Sequence, residues 1–372
     1  MFPRPVRSAS EAPADPADLY AALDLGTNSC RMLIAQPQGS QFHVIDSFSR
    51  SVQLGRGLEK HRSLSRASID RTIAALRLCR RKLELHNVRH MRLVATEACR
   101  RASNGAAFMR RITRETGLEL EIIRPEEEAR LAVISCAPLV SRHTEQLLVV
   151  DIGGGSTELV WIDLSRVAPR ERARAIMRMR GRLSDSIGNS PFPGARVVDW
   201  ISIPLGVATL KDQFDDVADE GARFALMSCH FEELMCDFLP YQLACGGGCG
   251  NTDTPPRRDF QIIGTSGTVT TVAATHLGLR RYDRNKVDGL RMTSEQIDAV
   301  IRQYLALGPE GRRRDPRIGR DRQALILSGV AILQTLMRIW PTDRLSVADR
   351  GLREGLLYAM MSADGVLEDG PI

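Results

Sequence analysis

Twice in this chain a short apolar run ends in an aspartate-glycine loop, and a second apolar run resumes at once. Ala21 to Leu25 leads into Asp24-Leu-Gly26-Thr27-Asn28-Ser29, and Arg31 to Gln36 follows. Gln146 to Val150 leads into Asp151-Ile-Gly153-Gly154-Gly155-Ser156-Thr157-Glu158, and Leu159 to Ile162 follows. Two strands joined by a short polar loop containing glycine read as a hairpin. Asp24 and Asp151 stand 127 positions apart, so the pattern predicts two copies of one αβ unit. A chain of 372 residues, at roughly 150 residues per domain, has room for two such units.

The intervening segments fit that frame. Phe42 to Leu54 reads as a third strand. Ile69, Ile73, Leu76 and Leu83 recur near helical spacing with Ser65 or Ser68 as the cap. Arg92 to Ala95 and Leu120 to Ile123 read as strands, and Phe108 to Thr116 as a helix stopped by Gly117. Pro125 opens a helix to about Ala137 with acids in its first turn, where the helix dipole favours them. Residues 166–198 read as an arginine-rich insertion. Ile201 to Pro204 reads as a strand and Ala222 to Phe238 as a helix. Residues 245–259 form a Gly/Pro/Cys-rich insertion. Gln261 to Ile263 is a strand that runs into Gly264-Thr-Ser266-Gly267-Thr268, and a helix follows to Leu277. Helices are expected from there to about Met361. Residues 1–18 read as a disordered leader.

Three loops of Gly, Ser and Thr at strand ends point to phosphate. Small side chains let backbone N–H groups reach phosphate oxygens. The hydroxyls of Thr27, Ser29, Ser156, Thr157, Ser266 and Thr268 add donors. No Gly-x-x-x-x-Gly-Lys-Ser/Thr is present, which excludes a P-loop. If the two units face each other, Asp24 and Asp151 enter one cleft and Glu158 reaches the same spot. Such hard oxygen ligands suit Mg²⁺. Arg100 and Arg101 follow a strand end, where a guanidinium binds phosphate.

Charge narrows the partners. Residues 1–150 carry 23 basic and 16 acidic side chains, and residues 151–372 carry 28 and 29. A basic first half suits a polyanion. With no finger motif and only 5% aromatic residues, stacking platforms for nucleic acid are scarce. The apolar runs are far short of the roughly 20 residues that span a bilayer. Of the basic residues only Lys60, Lys82, Lys211 and Lys286 are lysines, a bias that codon composition explains first. The eight cysteines form no disulfide framework, which suits reduced thiols in the cytoplasm. Cys245 and Cys249, with Cys229, His230 and Cys236, have no zinc-knuckle spacing, and a surface loop is the better reading.

With these residues in view, the chain resembles the exopolyphosphatase/guanosine pentaphosphate phosphatase family of the acetate and sugar kinase/Hsp70/actin superfamily. The resemblance rests on Asp24-Leu-Gly-Thr-Asn-Ser-Cys-Arg31, Glu127-Glu-Ala-Arg130, Asp151 to Glu158, Gly264 to Thr268 and Asp349-Arg-Gly-Leu-Arg-Glu-Gly-Leu-Leu357. It implies an α/β fold of two ribonuclease-H-like (actin-like ATPase) lobes around a central cleft. The N-terminal lobe would span 19–126, completed by a helix in 350–372, and the C-terminal lobe 127–349.

The resemblance also implies roles. Glu128 would be the general base, with Asp151 and Glu158 completing the catalytic set. Asp24, Asp151 and Glu158 would hold Mg²⁺, or Mn²⁺ in its place. Phosphate binding would fall to Gly26, Thr27, Asn28, Ser29, Arg100, Gly153, Gly154, Gly155, Ser156, Thr157, Gly264, Ser266, Gly267 and Thr268. The implied activity is release of orthophosphate from the end of inorganic polyphosphate, with the 5′ γ-phosphate of guanosine pentaphosphate (pppGpp) as the alternative substrate. An actin-like kinase or ATPase, or a non-catalytic polyphosphate-binding regulator, are the readings of another class. A short two-domain form and a cytoplasmic homodimer are expected, with neither nucleic acid nor membrane as a partner.

Overall fold

The computed structural model describes residues 18–186, 194–245, 259–319 and 322–368. The first half contains β1 (Tyr20–Leu25), β2 (Ser29–Gln38), β3 (Gln41–Ser51), α1 (Leu58–His61), α2 (Arg66–Leu85), β4 (His90–Ala95), α3 (Glu97–Arg101), α4 (Gly105–Thr116) and β5 (Glu121–Ile122). Then come α5 (Pro125–Cys136), β6 (Gln146–Ile152), β7 (Thr157–Asp163), α6 (Arg172–Met177), β8 (Arg196–Ile203), α7 (Val207–Gln213), α8 (Glu220–Glu233) and α9 (Leu239–Cys245). The last part holds β9 (Phe260–Thr265), α10 (Gly267–His276), α11 (Arg284–Val287), β10 (Arg291–Met292), α12 (Ser294–Arg314), α13 (Ile326–Ile339), β11 (Leu345–Ala348) and α14 (Leu352–Ala363).

The repeat seen in the sequence is a repeat of topology. The first sheet has the order β3-β2-β1-β4-β5 and the second β8-β7-β6-β9-β11-β10. In each, three antiparallel strands are followed by parallel ones: β4 joins β1, and β9 joins β6. The first hairpin strand in each copy, β1 or β6, therefore lies centrally, and its carboxyl end carries the aspartate. Both faces of these strands are covered, which is why Tyr20 to Leu25 and Leu147 to Ile152 read as near-continuous apolar runs.

Local signals set several boundaries. Ser65 caps α2 by accepting the Ser68 N–H at 3.2 Å, and Gly117 ends α4 in the left-handed conformation. Helix α14 returns to the first sheet. Leu352, Leu356, Leu357 and Met361 pack with Tyr20, Ala22, Leu33 and Val94. It also lies along α5 with their backbones nearly touching: a Cβ on Gly355 would sit 2.1 Å from the Leu131 carbonyl oxygen.

Three expectations need correction. β8 begins at Arg196, inside the stretch read as insertion, because it completes the hairpin sheet beside β7. The helix expected over 222–238 ends at Glu233, and α9 starts separately. The helical stretch towards Met361 is interrupted by β10 and β11. The four-residue β11 is defined by its pairing with β9 and is too short to show a period of its own. Cys249 and most of 245–259 lie outside the described residues. Among those described, no group of three or more His, Cys, Asp or Glu side chains is placed to hold a metal unaided. No helix there is long and apolar enough to cross a membrane.

Candidate active site

The cleft forms where the loops of the two hairpins meet. Both loops close the same way: Gly26 N–H donates to the Ser29 carbonyl and Gly153 N–H to the Ser156 carbonyl, each at 2.9 Å. They also touch each other. A Cβ on Gly155 would lie 2.5 Å from Thr27 Oγ1, and one on Gly154 would lie 3.3–3.5 Å from Thr27 and Asn28. Gly206 backs the second loop so closely that a Cβ would sit 2.5–2.6 Å from backbone atoms of Gly153, Gly154 and Gly155. Side chains are thus excluded at Gly154, Gly155 and Gly206, which leaves the second loop as bare backbone beside Thr27 and Asn28.

The third loop joins β9 to α10. Ser266 sits there at φ 123°, a conformation costly for any residue but glycine. Its Oγ accepts the Thr268 N–H at 3.2 Å. This turn places the α10 N-terminus, with its positive dipole end, on the same cleft. Gly26, Thr27, Asn28, Ser29, Gly153, Gly154, Gly155, Ser156, Ser266, Gly267 and Thr268 all line the cleft, together with Asp24, Glu128 and Asp151.

Three expected phosphate contacts are elsewhere. Thr157 is fully buried and its hydroxyl donates to the Leu205 carbonyl at 2.8 Å, so the first residue of β7 belongs to the packing behind the loop. Gly264 lies within β9 under Val269, and Thr265 reaches the cleft in its place. Arg100 faces inward. It donates to Glu128 at 2.8 Å, to Glu97 at 2.7 Å and to the Ile123 carbonyl at 2.8 Å, which makes it a holder of carboxylates.

The acids crowd one another. Register pairs Asp151 with Glu158 across the hairpin. Glu158 is buried beneath the loop and accepts the Ser202 hydroxyl at 2.9 Å. Burial pushes Asp151 up to about 6, with the charge of Asp24 adding to it and Arg31 opposing. Burial is the largest of the effects that together bring Glu128 up to about 8. Arg100 opposes that rise, and Asp24 and Asp151 contribute to it. Glu158 is held well above the carboxylate range by burial, then by Glu128 and Asp151. Asp24 is raised by burial and eased by Arg31 and Arg353. Asp24 thus disfavours the charge of Asp151, both disfavour that of Glu128, and Glu128 and Asp151 disfavour that of Glu158. Asp24 and Asp151 present to the cleft hard oxygen donors of the kind a divalent cation takes, with Glu158 buried behind them. Mg²⁺ bound by one or two carboxylates and waters needs no closed protein cage.

Sequence reading missed the arginines and Glu97 on the cleft wall. Arg31, Arg322, Arg350 and Arg353 all line it. Arg31 opposes Asp24 in the β1–β2 register, lines the cleft, and its charge acts on both Asp24 and Asp151. Arg322 donates to the Gly267 carbonyl at 2.7 Å and to Thr271 Oγ1 at 2.6 Å, which braces the start of α10. Arg350 is held by Asp288 at 2.9 Å. Arg31, Arg350 and Arg353 fall within the Asp24–Arg31 and Asp349–Leu357 motifs, and hairpin register adds a second signal for Arg31. The others come from segments whose proximity is set only by tertiary structure.

The geometry has close counterparts. The model of the Ppx/GppA phosphatase family matches residues 33–364. A Vibrio vulnificus protein named guanosine-5′-triphosphate,3′-diphosphate pyrophosphatase is 26% identical over 346 residues, which cover 92% of this chain and 59% of that protein. The chain thus spans well under two thirds of that relative. The crystal structure of the Aquifex aeolicus member of the Ppx/GppA family is 28% identical, with a TM-score of 0.70, 93% of this chain and 98% of that one being covered. A Cytophaga hutchinsonii exopolyphosphatase structure, 22% identical with a TM-score of 0.74 over 94% of this chain and 100% of its own, shares the fold.

Proposed function

The chain belongs to the Ppx/GppA phosphatase family, and on that premise we propose that its cleft hydrolyses the terminal phosphoanhydride bond of inorganic polyphosphate. The observation that carries this reading is the placement of Glu128. Its carboxylate is held by Arg100 at 2.8 Å on the wall of a cleft lined by three small-residue loops. An acid whose proton affinity lies near neutrality is suited to take a proton from water. A kinase has no need of a base aimed at water.

In this scheme the terminal phosphate lies against the Gly26–Ser29 and Gly153–Ser156 loops and the α10 N-terminus. Arg31 forks onto its oxygens. A water attacks the terminal phosphorus in line and gives its proton to Glu128. The new P–O bond forms as the bond to the bridging oxygen breaks, leaving orthophosphate and a chain one phosphate shorter. Phosphoryl transfer is mostly positioning and charge neutralisation, which the loops and Arg31 supply. Asp24, Asp151 and Glu158 would hold Mg²⁺ or Mn²⁺, whose chemistry is to neutralise phosphate charge and orient oxygens.

A second reading, removal of the 5′ γ-phosphate of guanosine pentaphosphate, is favoured by the name of the Vibrio relative and uses the same steps. Orthophosphate release from polyphosphates of defined length and from guanosine pentaphosphate, with and without Mg²⁺, tests both readings. Release from neither substrate overturns the proposal.

A further inference from the structure

The rim of the cleft carries an aromatic ring that phosphate chemistry does not use. Tyr282 is 45% exposed, and it is the one exposed aromatic side chain among the described residues. A single exposed apolar side chain is ordinary; its position is what sets this one apart. Its hydroxyl turns back towards Asp349 and Thr270, both on the cleft wall. That anchors one edge of the ring, while no other ring or cation packs on its face among the described residues. The same surface segment presents Arg280 and Arg281, both exposed and in no ion pair among the described residues. Arg284 is instead tied to the Asp349 carbonyl at 2.7 Å and to Glu354 at 3.3 Å, which fixes the segment against the site.

We propose that Tyr282, Arg280 and Arg281 form a subsite for the nucleoside end of a nucleoside polyphosphate, the base stacking on the phenol ring. This rests on the reading that the cleft cuts terminal phosphoanhydrides. A bare phosphate chain has no π-face and gains nothing from the ring. A base gains stacking whatever its identity, and the guanidinium groups beside the ring suit further phosphates on the ribose. The subsite makes Tyr282 a specificity residue that favours nucleotide over polyphosphate.

The test compares KM for phosphate release from guanosine pentaphosphate and from tetrapolyphosphate in wild type, Tyr282→Ala and Tyr282→Phe. Tyr282→Ala is expected to raise KM for the nucleotide roughly ten- to a hundredfold, a factor much larger than for tetrapolyphosphate. Tyr282→Phe keeps the ring and stays close to wild type on both. Equal factors on the two substrates in Tyr282→Ala would mark a bracing role for Asp349 and overturn the subsite, as would an unchanged KM for the nucleotide. The same comparison by equilibrium binding covers a protein that hydrolyses neither compound. Failure of hydrolysis then counts against the proposed function alone. Wild type binding the nucleotide no more tightly than tetrapolyphosphate counts against the subsite.

Discussion

Replacing Glu128 by glutamine is expected to stop turnover and make the protein harder to unfold. Burial first, and then Asp24 and Asp151 against the pull of Arg100, moves this carboxyl from 4.5 to about 8. The unfolded chain releases the proton near the lower value and the fold only near the higher. Between them the native state holds a proton the unfolded state lacks, so stability falls as pH rises from 4.5 to 8 and stays reduced above that. At about 1.4 kcal/mol per pH unit, the loss at pH 7 is about 3 kcal/mol. Glutamine has no such proton, its Oε1 still accepts the Arg100 N–H, and Arg100 keeps Glu97 at 2.7 Å. Since Arg100 loses one charged partner, a net gain on the order of 1–3 kcal/mol is expected. Urea unfolding in EDTA at about pH 5, 7 and 8.5 measures it, and the gain should widen with pH. Turnover should fall by about 10²–10⁴. A variant less stable than wild type at the highest pH, or a gap that does not widen, refutes the electrostatic argument. Wild-type turnover refutes the role of Glu128.

Three further outcomes follow from the same geometry. With limiting Mg²⁺, kcat/KM should climb towards about pH 8 as Glu128 ionises, and added Mg²⁺ should move that limb to lower pH; a flat profile speaks against it. Arg31→Met should raise KM for polyphosphate at least tenfold through loss of charge-assisted hydrogen bonds, measured by initial rates at constant ionic strength; an unchanged KM would place the phosphate elsewhere. Gly206→Ala forces a Cβ to within 2.5–2.6 Å of the second loop's backbone. It should cost about 1–3 kcal/mol in urea unfolding and most of the activity, and a variant with normal rates would show that the loop need not be held.

The two hairpins were legible because a buried central strand ending in a polar glycine loop leaves both an apolar run and a punctuation mark in the chain. Asp24, Asp151 and the loops Gly26–Ser29 and Gly153–Ser156 could be read for that reason. Position within the motif was less legible. Thr157 and Gly264 belong to the same runs of residues, yet the remote Leu205 engages one and Val269, five residues on at the start of α10, covers the other. Arg100 follows a strand end as a phosphate ligand would, but Glu97 one helical turn before it and Glu128 on α5 engage its guanidinium. Arg350 and Arg353 lie in the Asp349–Leu357 motif but carried no assigned role, and Arg322 had no local signal, because 47 arginines in the chain hide the few that matter. The β11 strand was lost for lack of length, and with it the reason that Asp349 and Arg350 stand at a strand end facing the cleft.

The contact between Gly154, Gly155, Thr27 and Asn28 has a consequence for how this chain can vary. Two copies of a unit are ordinarily free to drift apart, but here each loop is the wall against which the other is moulded. A methyl group added at position 155 meets Thr27 Oγ1 at 2.5 Å. Bulk gained in one copy must therefore be surrendered in the other. Tolerance at these positions is a property of the pair, and Thr27→Gly should relieve part of the cost of Gly155→Ala, the remainder lying against Glu97 at 3.0 Å.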